Sequence, residues 1–328
     1  MLKSESKRRL LLSSLFVVES IFSYGFSCFF IDWRVYLEHI GYFQNKLTMV
    51  GTLMVSALGI IISNFIILVL WPKRSFQLVN PLVVLWSILT GLLQCVGVYY
   101  FIISAKMHIP ATISGPVSGL SVLVPPLWYC VYNQKVLGAR TAMGFVLSIA
   151  TLVLFSGLIS ESVSYTMSRN DFSTLSLIVI PFGIALILQA EASKGCTFTQ
   201  FPQVDTFRTI GGVMGYVIFA CFEDASDIIE RSTWLPFNFA KLLVLLSTVF
   251  MSLGSGFFCV SLLYTENTNR MVAIMSLYIT LPAILGIVIL EEPATWTHIL
   301  GFLSALLAAI TMAFEVKEGS DIPKANER

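Results

Sequence analysis

Long apolar runs follow one another along almost the whole chain, and they limit what it can fold into. Each run is close to the roughly 20 residues that a helix needs to cross the hydrocarbon core of a bilayer. Ten runs lie between charged or turn-rich breaks, near residues 11–31, 48–71, 79–103, 110–132, 140–159, 173–190, 207–228, 237–264, 270–290 and 297–315. The breaks are short. We therefore expect an all-α integral membrane protein with ten transmembrane helices and no soluble domain.

Composition and charge narrow the function classes. Only 12% of the residues are charged, whereas soluble proteins have about 25%. The net charge of +1 and the absence of a basic tract argue against nucleic-acid binding. The scattered cysteines and three histidines show no metal-ligand or catalytic clustering, so we expect no cofactor, no metal and no enzymatic activity. The expected partners are the lipid bilayer and a small-molecule substrate, and a homodimer is left open.

The distribution of Lys and Arg predicts the orientation. These residues are concentrated in the breaks that share a side with both termini, and Lys and Arg accumulate on the cytoplasmic side of membranes. We therefore expect cytoplasmic tails at 1–10 and 316–328, which requires an even number of helices. The short tails, with no sorting signal, fit a bacterial inner membrane or a plasma membrane, and an organelle stays open as the alternative.

The two halves of the chain repeat one another. A shift of 157 residues superposes several landmarks: Gly97 on Gly254, Phe101 on Phe258, Ser104 on Ser261, Pro125 on Pro282, and Gly144 on Gly301. The predicted repeats are 11–159 and 173–315, joined by a loop at 160–172. Because five helices per repeat is an odd number, the second repeat must be inverted. Inverted repeats are typical of secondary transporters, whose substrate site lies at the interface between the repeats near the bilayer midplane.

The last three helices of each repeat resemble a known family. The two stretches begin YYFIISAKMHIPATISGPVSGL and GFFCVSLLYTENTNRMVAIMSL. Both are similar to the drug/metabolite transporter superfamily, EamA-like ten-helix branch, in which a helix with a central proline precedes a short acidic turn. Glu291, Glu292 and Pro293 form that turn here, and the first repeat has Asn133-Gln134-Lys135 instead. The resemblance implies ten helices around a central cavity lined by helices 1–4 and 6–9, with helices 5 and 10 set aside.

A carboxylate interrupts the first apolar run, LFVVESIFSYGFSCFF. An acid at the bilayer centre costs about 2.5–3.5 kcal/mol on insertion scales, so Glu19 needs a compensating role. Helical spacing gives it Ser20, Ser23 and Tyr24 as neighbours, and we interpret this polar stripe as cavity lining. Glu19 also resembles in position the functional glutamate of the family's small multidrug branch. It would couple transport by alternating between a proton and a cationic substrate. The alternative is a protonated glutamate that holds two helices together.

Further candidates lie in other helices. For the substrate or coupling site they are Asn64, Gln94, Tyr100, Ser118, Ser121, Pro125, Tyr278 and Pro282. Pro125 and Pro282 are prolines at equivalent positions of the two repeats, and paired helix interruptions of this kind point to a binding site in inverted-repeat transporters. For each of the candidate residues, helix packing is the alternative role. Glu223 and Asp224 fall near the predicted outer end of helix 7. They would form an acidic outer mouth that attracts cations, or else the start of a solvated loop.

These observations favour one function over its alternatives. We expect a secondary active transporter or exchanger of a small organic metabolite that works by alternating access and couples to protons through Glu19. The scarcity of buried cations favours a cationic, zwitterionic or neutral solute over a phosphorylated one. The alternatives are a divalent-cation transporter, which needs several oxygen ligands at depth, and a carrier of a sugar or nucleotide-type solute.

Overall fold

The computed structural model describes residues 2–42, 48–75, 77–107, 118–132, 138–155, 168–230, 238–264, 274–289 and 296–313. Every regular element in these ranges is helical, which confirms the all-α prediction. The α-helices are α1 (Leu2–His39), α2 (Met49–Leu70), α3 (Pro81–Lys106), α4 (Val124–Tyr132), α5 (Ala139–Phe155), α6 (Arg169–Lys194), α7 (Phe201–Glu230), α8 (Phe239–Leu263), α9 (Thr280–Ile289) and α10 (Trp296–Ala313). They follow the ten predicted runs in order.

Five of the helices are long and apolar enough to cross a membrane. The qualifying spans are Leu11–Glu38, Met49–Leu70, Pro81–Ser104, Arg169–Lys194 and Phe239–Leu263, which belong to α1, α2, α3, α6 and α8. At 1.5 Å per residue, even the 22 residues of α2 extend about 33 Å, enough for a hydrocarbon core of about 30 Å. The chain therefore has the helices of an integral membrane protein.

Three helices begin earlier than their apolar runs. α1 begins at Leu2, so the segment 1–10, predicted as a tail, is helical from its second residue. α6 begins at Arg169 because Ser168 and Asp171 form a capping box, which places the end of the predicted loop 160–172 inside the helix. α7 begins at Phe201, six residues before the predicted start. Residues 160–167 and the predicted tail 316–328 lie outside the described ranges.

Each helix contact described below has an equivalent contact in which the helices of the first and second halves change places. α1 packs against α8, and its counterpart α6 packs against α3, the counterpart of α8. In the same way α2 packs against α8 while α7 packs against α3. α2 also contacts α7, and α5 contacts α10, so these two pairs join counterparts directly. Swapping the first five helices with the second five leaves this set of neighbours unchanged.

Two glycines at equivalent positions each accept an aromatic ring from the other half. Gly97 in α3 is covered by the ring of Phe182 in α6, and a Cβ atom there would lie 2.6 Å from it. Gly254 in α8, 157 residues after Gly97, is covered by Tyr24 in α1, where a Cβ atom would lie 2.9 Å from the ring. Tyr24 and Phe182 therefore occupy equivalent places in the two halves.

The residue after each of these rings makes a matching contact. Gly25 lies against the side chain of Leu281, and Gly183 lies against that of Val124. Leu281 comes 157 residues after Val124, at the start of the helix that follows the second 3₁₀ turn. The repeat seen in the sequence therefore has a counterpart in the packing of α1 and α6.

The predicted proline interruptions lie where a 3₁₀ turn gives way to an α-helix. The turn Leu120–Leu123 precedes α4, and the turn Ser276–Ile279 precedes α9. Pro125 and Pro282 fall in the first turn of the α-helix that follows, where a missing backbone N–H costs no intrahelical hydrogen bond. Each proline thus marks a change of helix type without breaking the helix.

Candidate functional site

A cavity lies between the two halves, midway along the helices. About 580 Å³ of space there is free of atoms, a value that includes open solvent. The residues that line it come from α1, α3, α6, α8 and the two segments that carry 3₁₀ turns: Tyr24, Cys28, Gln94, Phe101, Ser118, Ser121, Phe182, Leu186, Met251, Met275 and Tyr278. The described part of α5 and α10 contributes no lining residue, because these helices pack against each other at one side.

Five of the predicted site residues meet in this cavity. Tyr24, Gln94, Ser118, Ser121 and Tyr278 all contribute to its lining. The hydroxyl groups of Ser118 and Tyr278 lie 3.3 Å apart in a hydrogen bond, and the rings of Tyr24 and Tyr278 lie 5.6 Å apart between centroids. Residues from α1, the segment before α4 and the segment before α9 are therefore in direct contact.

The serines of α1 face a helix rather than the cavity. Ser20 is buried, and its hydroxyl donates to the backbone carbonyl of Gly254 in α8 at 2.7 Å. Ser23 packs on the same glycine, and Ser27 is hydrogen-bonded to Ser247 of α8 at 3.2 Å. This stripe of small polar residues thus forms the α1–α8 interface, as small residues commonly do between membrane helices. Of the predicted stripe, only Tyr24 reaches the cavity.

Glu19 lies on the opposite side of α1. It is exposed, and it shares this outer face with exposed apolar side chains, Leu15, Val18 and Phe22. The structure therefore brings Glu19 neither to the cavity nor to the α1–α8 interface.

Three other predicted residues lie near the cavity without lining it. Tyr100 is half-buried and packs against the cluster of Phe101 and Ile178 between α3 and α6. Pro125 is buried and Pro282 is half-buried, and both shape the helices that carry the lining.

The two predicted outer acids lie within α7, which continues to Glu230. Hydropathy alone would end this helix at Phe222. Glu223 is exposed, and its carboxylate accepts a hydrogen bond from the hydroxyl of Tyr99 in α3. Asp224 is in the same turn, and its side chain lies outside the described part of the chain. The helical extension expected from the repeat is thus present, and the acidic mouth stays a prediction.

A charged pair near the cavity lies outside the predicted site residues. Asp205 and Arg208 in the first turns of α7 are buried, with relative exposures of 1% and 7%. They form an ion pair in which the Arg208 Nη2 lies 2.5 Å from the Asp205 Oδ1. Arg208 also donates through Nη2 to the backbone carbonyl and the hydroxyl of Ser252 in α8, both at 3.0 Å.

Two predicted site residues complete this polar network. Asn64 of α2 donates to the second carboxylate oxygen of Asp205 at 2.9 Å. Gln94 of α3 accepts from Arg208 Nη1 at 3.1 Å, and its amide nitrogen donates to the Ser255 hydroxyl at 2.7 Å. Because Gln94 also lines the cavity, it connects the ion pair to the cavity wall. The network joins α2, α3, α7 and α8.

A close helix crossing places Arg208 in this network. At Gly91 in α3 and Gly211 in α7 a Cβ atom would overlap the backbone carbonyl oxygens of Arg208 and Ile88, respectively. The two helices therefore touch through their backbones. This brings the guanidinium group within reach of Gln94.

The spacing of Asp205 and Arg208 in the sequence favours an ion pair, although the hydropathy profile did not indicate it. The predicted start of α7 at residue 207 left Asp205 outside the helix. An acid and a base three residues apart form a favourable pair on one helix face, and this spacing extends the helix to include both. Nothing in a hydropathy profile indicates that Asn64 and Gln94 lie opposite the ion pair.

The described lining residues are uncharged. Among the lining residues that the structure describes there is no Asp, Glu, Lys, Arg or His. In the same ranges, no group of three or more His, Cys, Asp or Glu is placed to hold a metal ion. The site can therefore act through hydrogen bonds, aromatic contacts and dispersion.

Comparisons with known proteins bear on the fold alone. No family model matches the chain, and no curated protein sequence matches it. A solved structure that is described only as "Crystal structure of protein" is similar with a TM-score of 0.55 at 13% sequence identity. The match covers 89% of this chain and 96% of that chain. Nearly the whole helical arrangement is thus one that another protein also adopts.

Proposed function

We propose that this protein is a secondary active transporter or exchanger that moves a small organic solute through the central cavity by alternating access. The observation that carries the proposal is the position of the cavity. It lies between two halves whose helix contacts are exchanged, and both halves supply its lining. Secondary transporters with inverted repeats hold substrate at this interface and open it to either side in turn.

The inverted repeat is part of the proposal. The exchanged helix pairs and the matching contacts of Tyr24 and Phe182 support it. A further support comes from Ser304 in α10, whose hydroxyl donates to the backbone carbonyl of Leu147 in α5 at 2.9 Å. These two residues are 157 positions apart, so they are counterparts. Counterparts meet where a two-fold axis passes between the halves.

The proposed topology has ten spans with both termini on the cytoplasmic side. The other five helices of this topology are α7, with 30 residues, and four shorter helices. In this topology Asp205, Arg208 and Asn64 lie on the cytoplasmic side of the cavity. The network would then hold the inner halves of four helices together and would have to open for the solute to leave inward.

Membership of the drug/metabolite transporter superfamily is proposed on the same grounds. The separate pairing of α5 with α10 and the lining residues from α1, α3, α6 and α8 agree with what the resemblance implies. The described parts of α2 and α7, which the resemblance also places at the cavity, contribute no lining residue. The sequence motifs of the last three helices in each repeat remain its main support.

The structure gives less support to the alternative functions. A divalent cation would need Glu19, Asn64 and Gln94 together, and Glu19 lies on the outer face while the other two side chains bond to the ion pair. A phosphorylated sugar or nucleotide-type solute would need a cation, and all three guanidinium nitrogens of Arg208 already donate to protein oxygens. The proposal does not include proton coupling through Glu19, because Glu19 is exposed on the outer face of α1 and does not line the cavity.

Uptake into proteoliposomes tests the proposal. A panel of labelled metabolites is offered to the reconstituted wild type, with and without an imposed pH gradient. Ser121→Phe places a ring in the cavity and should abolish uptake. Val131→Phe is the matched control, because Val131 lies further along α4 and is 74% exposed. Equal uptake by both variants would place the transport path elsewhere, and no uptake of any solute by the wild type would contradict the proposal.

A further inference from the structure

The lining of the cavity differs between the halves at equivalent positions. Three pairs are related by the shift of 157 residues: Gln94 with Met251, Ser118 with Met275, and Ser121 with Tyr278. The contacts with the two equivalent glycines relate a fourth pair, Tyr24 with Phe182. One turn further along the same two helices, Cys28 and Leu186 make a fifth pair.

The first half supplies most of the polar groups, and the second half supplies most of the apolar ones. The first half presents an amide at Gln94 and hydroxyl groups at Ser118 and Tyr24. At the equivalent places the second half presents the thioethers of Met251 and Met275 and the ring of Phe182. Tyr278 is the exception, and its hydroxyl is hydrogen-bonded to Ser118 of the first half at 3.3 Å. A site of this kind can bind a solute that has one hydrogen-bonding edge and one apolar side.

The described lining residues offer no charged group for recognition of a charged solute. The ion pair beside the cavity is satisfied within the protein. Both carboxylate oxygens of Asp205 accept hydrogen bonds, from Arg208 and from Asn64. Arg208 reaches the cavity only through the amide of Gln94. A charged group that contacts these lining residues therefore loses hydration and gains no opposite charge from them, which is unfavourable.

We infer that the solute is an uncharged organic molecule with a hydrogen-bonding edge and an apolar side. This inference rests on the proposed function and narrows the solute classes that the sequence left open. The hydroxyl groups of the first half and the second N–H of the Gln94 amide, whose other N–H donates to Ser255, bind the edge. The methionines and Phe182 of the second half pack against the apolar side, where methionine accommodates different shapes.

A set of four compounds with one skeleton tests the charge preference. N-acetylphenylalaninamide is uncharged, N-acetylphenylalanine is an anion, phenylalaninamide is a cation and phenylalanine is a zwitterion. Each is titrated into the purified full-length protein in detergent, and the rise of the thermal unfolding midpoint gives its affinity. We expect the uncharged compound to bind at least about tenfold more tightly than the other three. Equal or tighter binding of a charged compound, or no binding of the uncharged one, would overturn the inference.

Two variants show whether the binding takes place in this cavity. Met251→Lys adds a cation to the lining and should shift the preference to the anion, whereas Met251→Leu should keep the wild-type preference. Ser121→Ala removes a hydroxyl and should weaken binding of the uncharged compound about three- to tenfold. Unchanged preferences in both Met251→Lys and Ser121→Ala would place the binding outside the cavity and overturn the assignment.

The uptake panel separates this inference from the function on which it rests. Accumulation of a charged metabolite by the wild type would overturn the inferred solute class and leave the transporter proposal in place. Binding of the uncharged compound in the cavity, with no uptake of any solute, would contradict transport and leave the assigned ligand class in place.

Discussion

α1 and α7 each carry a carboxylate within an apolar helix, and the surroundings of the two groups differ. Asp205 is 1% exposed, pairs with Arg208 and accepts a hydrogen bond from Asn64. Glu19 is exposed among apolar side chains on the outer face of α1. The acid that stands out in the sequence is therefore peripheral, and the acid that looks like part of a loop lies beside the cavity.

This difference follows from how a low-dielectric interior treats charge. A buried carboxylate is retained when a cation and hydrogen-bond donors replace its water, as they do for Asp205. The pair itself adds little to the free energy of unfolding, whereas removal of one partner leaves the other charge buried without compensation. A charge in a hydropathy profile thus says little about function until its partners are known.

Removal of the Asp205 carboxylate should have the largest effect. Asp205→Ala leaves the Arg208 guanidinium buried without its counter-ion, so we expect the free energy of unfolding to fall by about 3–5 kcal/mol. Reversible unfolding in mixed micelles measures this value. The double variant Asp205→Leu with Arg208→Met removes both charges and should recover most of the loss. A loss no larger than that of Glu38→Ala, in the less buried Arg34–Glu38 pair, would contradict the central role of Asp205.

The crossing that places Arg208 gives the next largest effect. A Cβ atom at Gly211 would overlap the backbone of Ile88, which cannot move aside, so Gly211→Ala should separate α3 from α7. Overpacking of this kind costs about 1–3 kcal/mol. Gly212→Ala is a matched control on the next residue, because its Cβ would meet only the end of the flexible Ile60 side chain, at 2.7 Å. Equal thermal unfolding midpoints for the two variants would show that the helices are not in backbone contact.

The link from the ion pair to the cavity has an expected effect of similar size. Gln94→Met keeps the size of the side chain, places the residue of its counterpart Met251 at this position, and removes the acceptor for Arg208 Nη1. A buried donor without an acceptor costs about 1–3 kcal/mol. Thermal unfolding in detergent measures the loss, and Met251→Leu in the opposite half should leave the midpoint near that of the wild type. A thermal unfolding midpoint of Gln94→Met as high as that of the wild type would mean that water or another group replaces the amide.

The sequence predicted the helices better than it predicted what each helix face contacts. Apolar runs located every described helix, and the shift of 157 residues anticipated the matched positions of Gly97 and Gly254. The hydropathy profile missed the start of α7, because the charges of Asp205 and Arg208 indicate a break between apolar runs even though they neutralise each other. The repeat predicted that α7 continues past Phe222 to include Glu223 and Asp224, where hydropathy alone would have ended the helix at Phe222, and the helix extends to Glu230.

The candidate site was predicted in part, for a physical reason. Helical spacing identifies residues that share a face, and it carries no information on whether a cavity, another helix or lipid lies opposite. Ser20 and Tyr24 were therefore grouped together, although Ser20 bonds to α8 and Tyr24 lines the cavity. Gln94, Ser121 and Tyr278, which were predicted for one site as polar residues at mid-helix, all line the cavity.

The smallest effect is expected at Glu19. Glu19→Gln keeps the shape of the side chain, and the exposed position should limit the change in the free energy of unfolding to about 0.5 kcal/mol. Uptake by this variant should keep the wild-type dependence on an imposed pH gradient, because the carboxylate contacts neither the lining nor the ion pair. Proteoliposomes that contain Glu19→Gln or the wild type, at equal protein density, provide the measurement. Loss of the pH dependence with binding unchanged would make Glu19 the coupling acid. The effect of protonating Glu19 on the outer face of α1 would then have to be transmitted to the cavity through the α1–α8 interface.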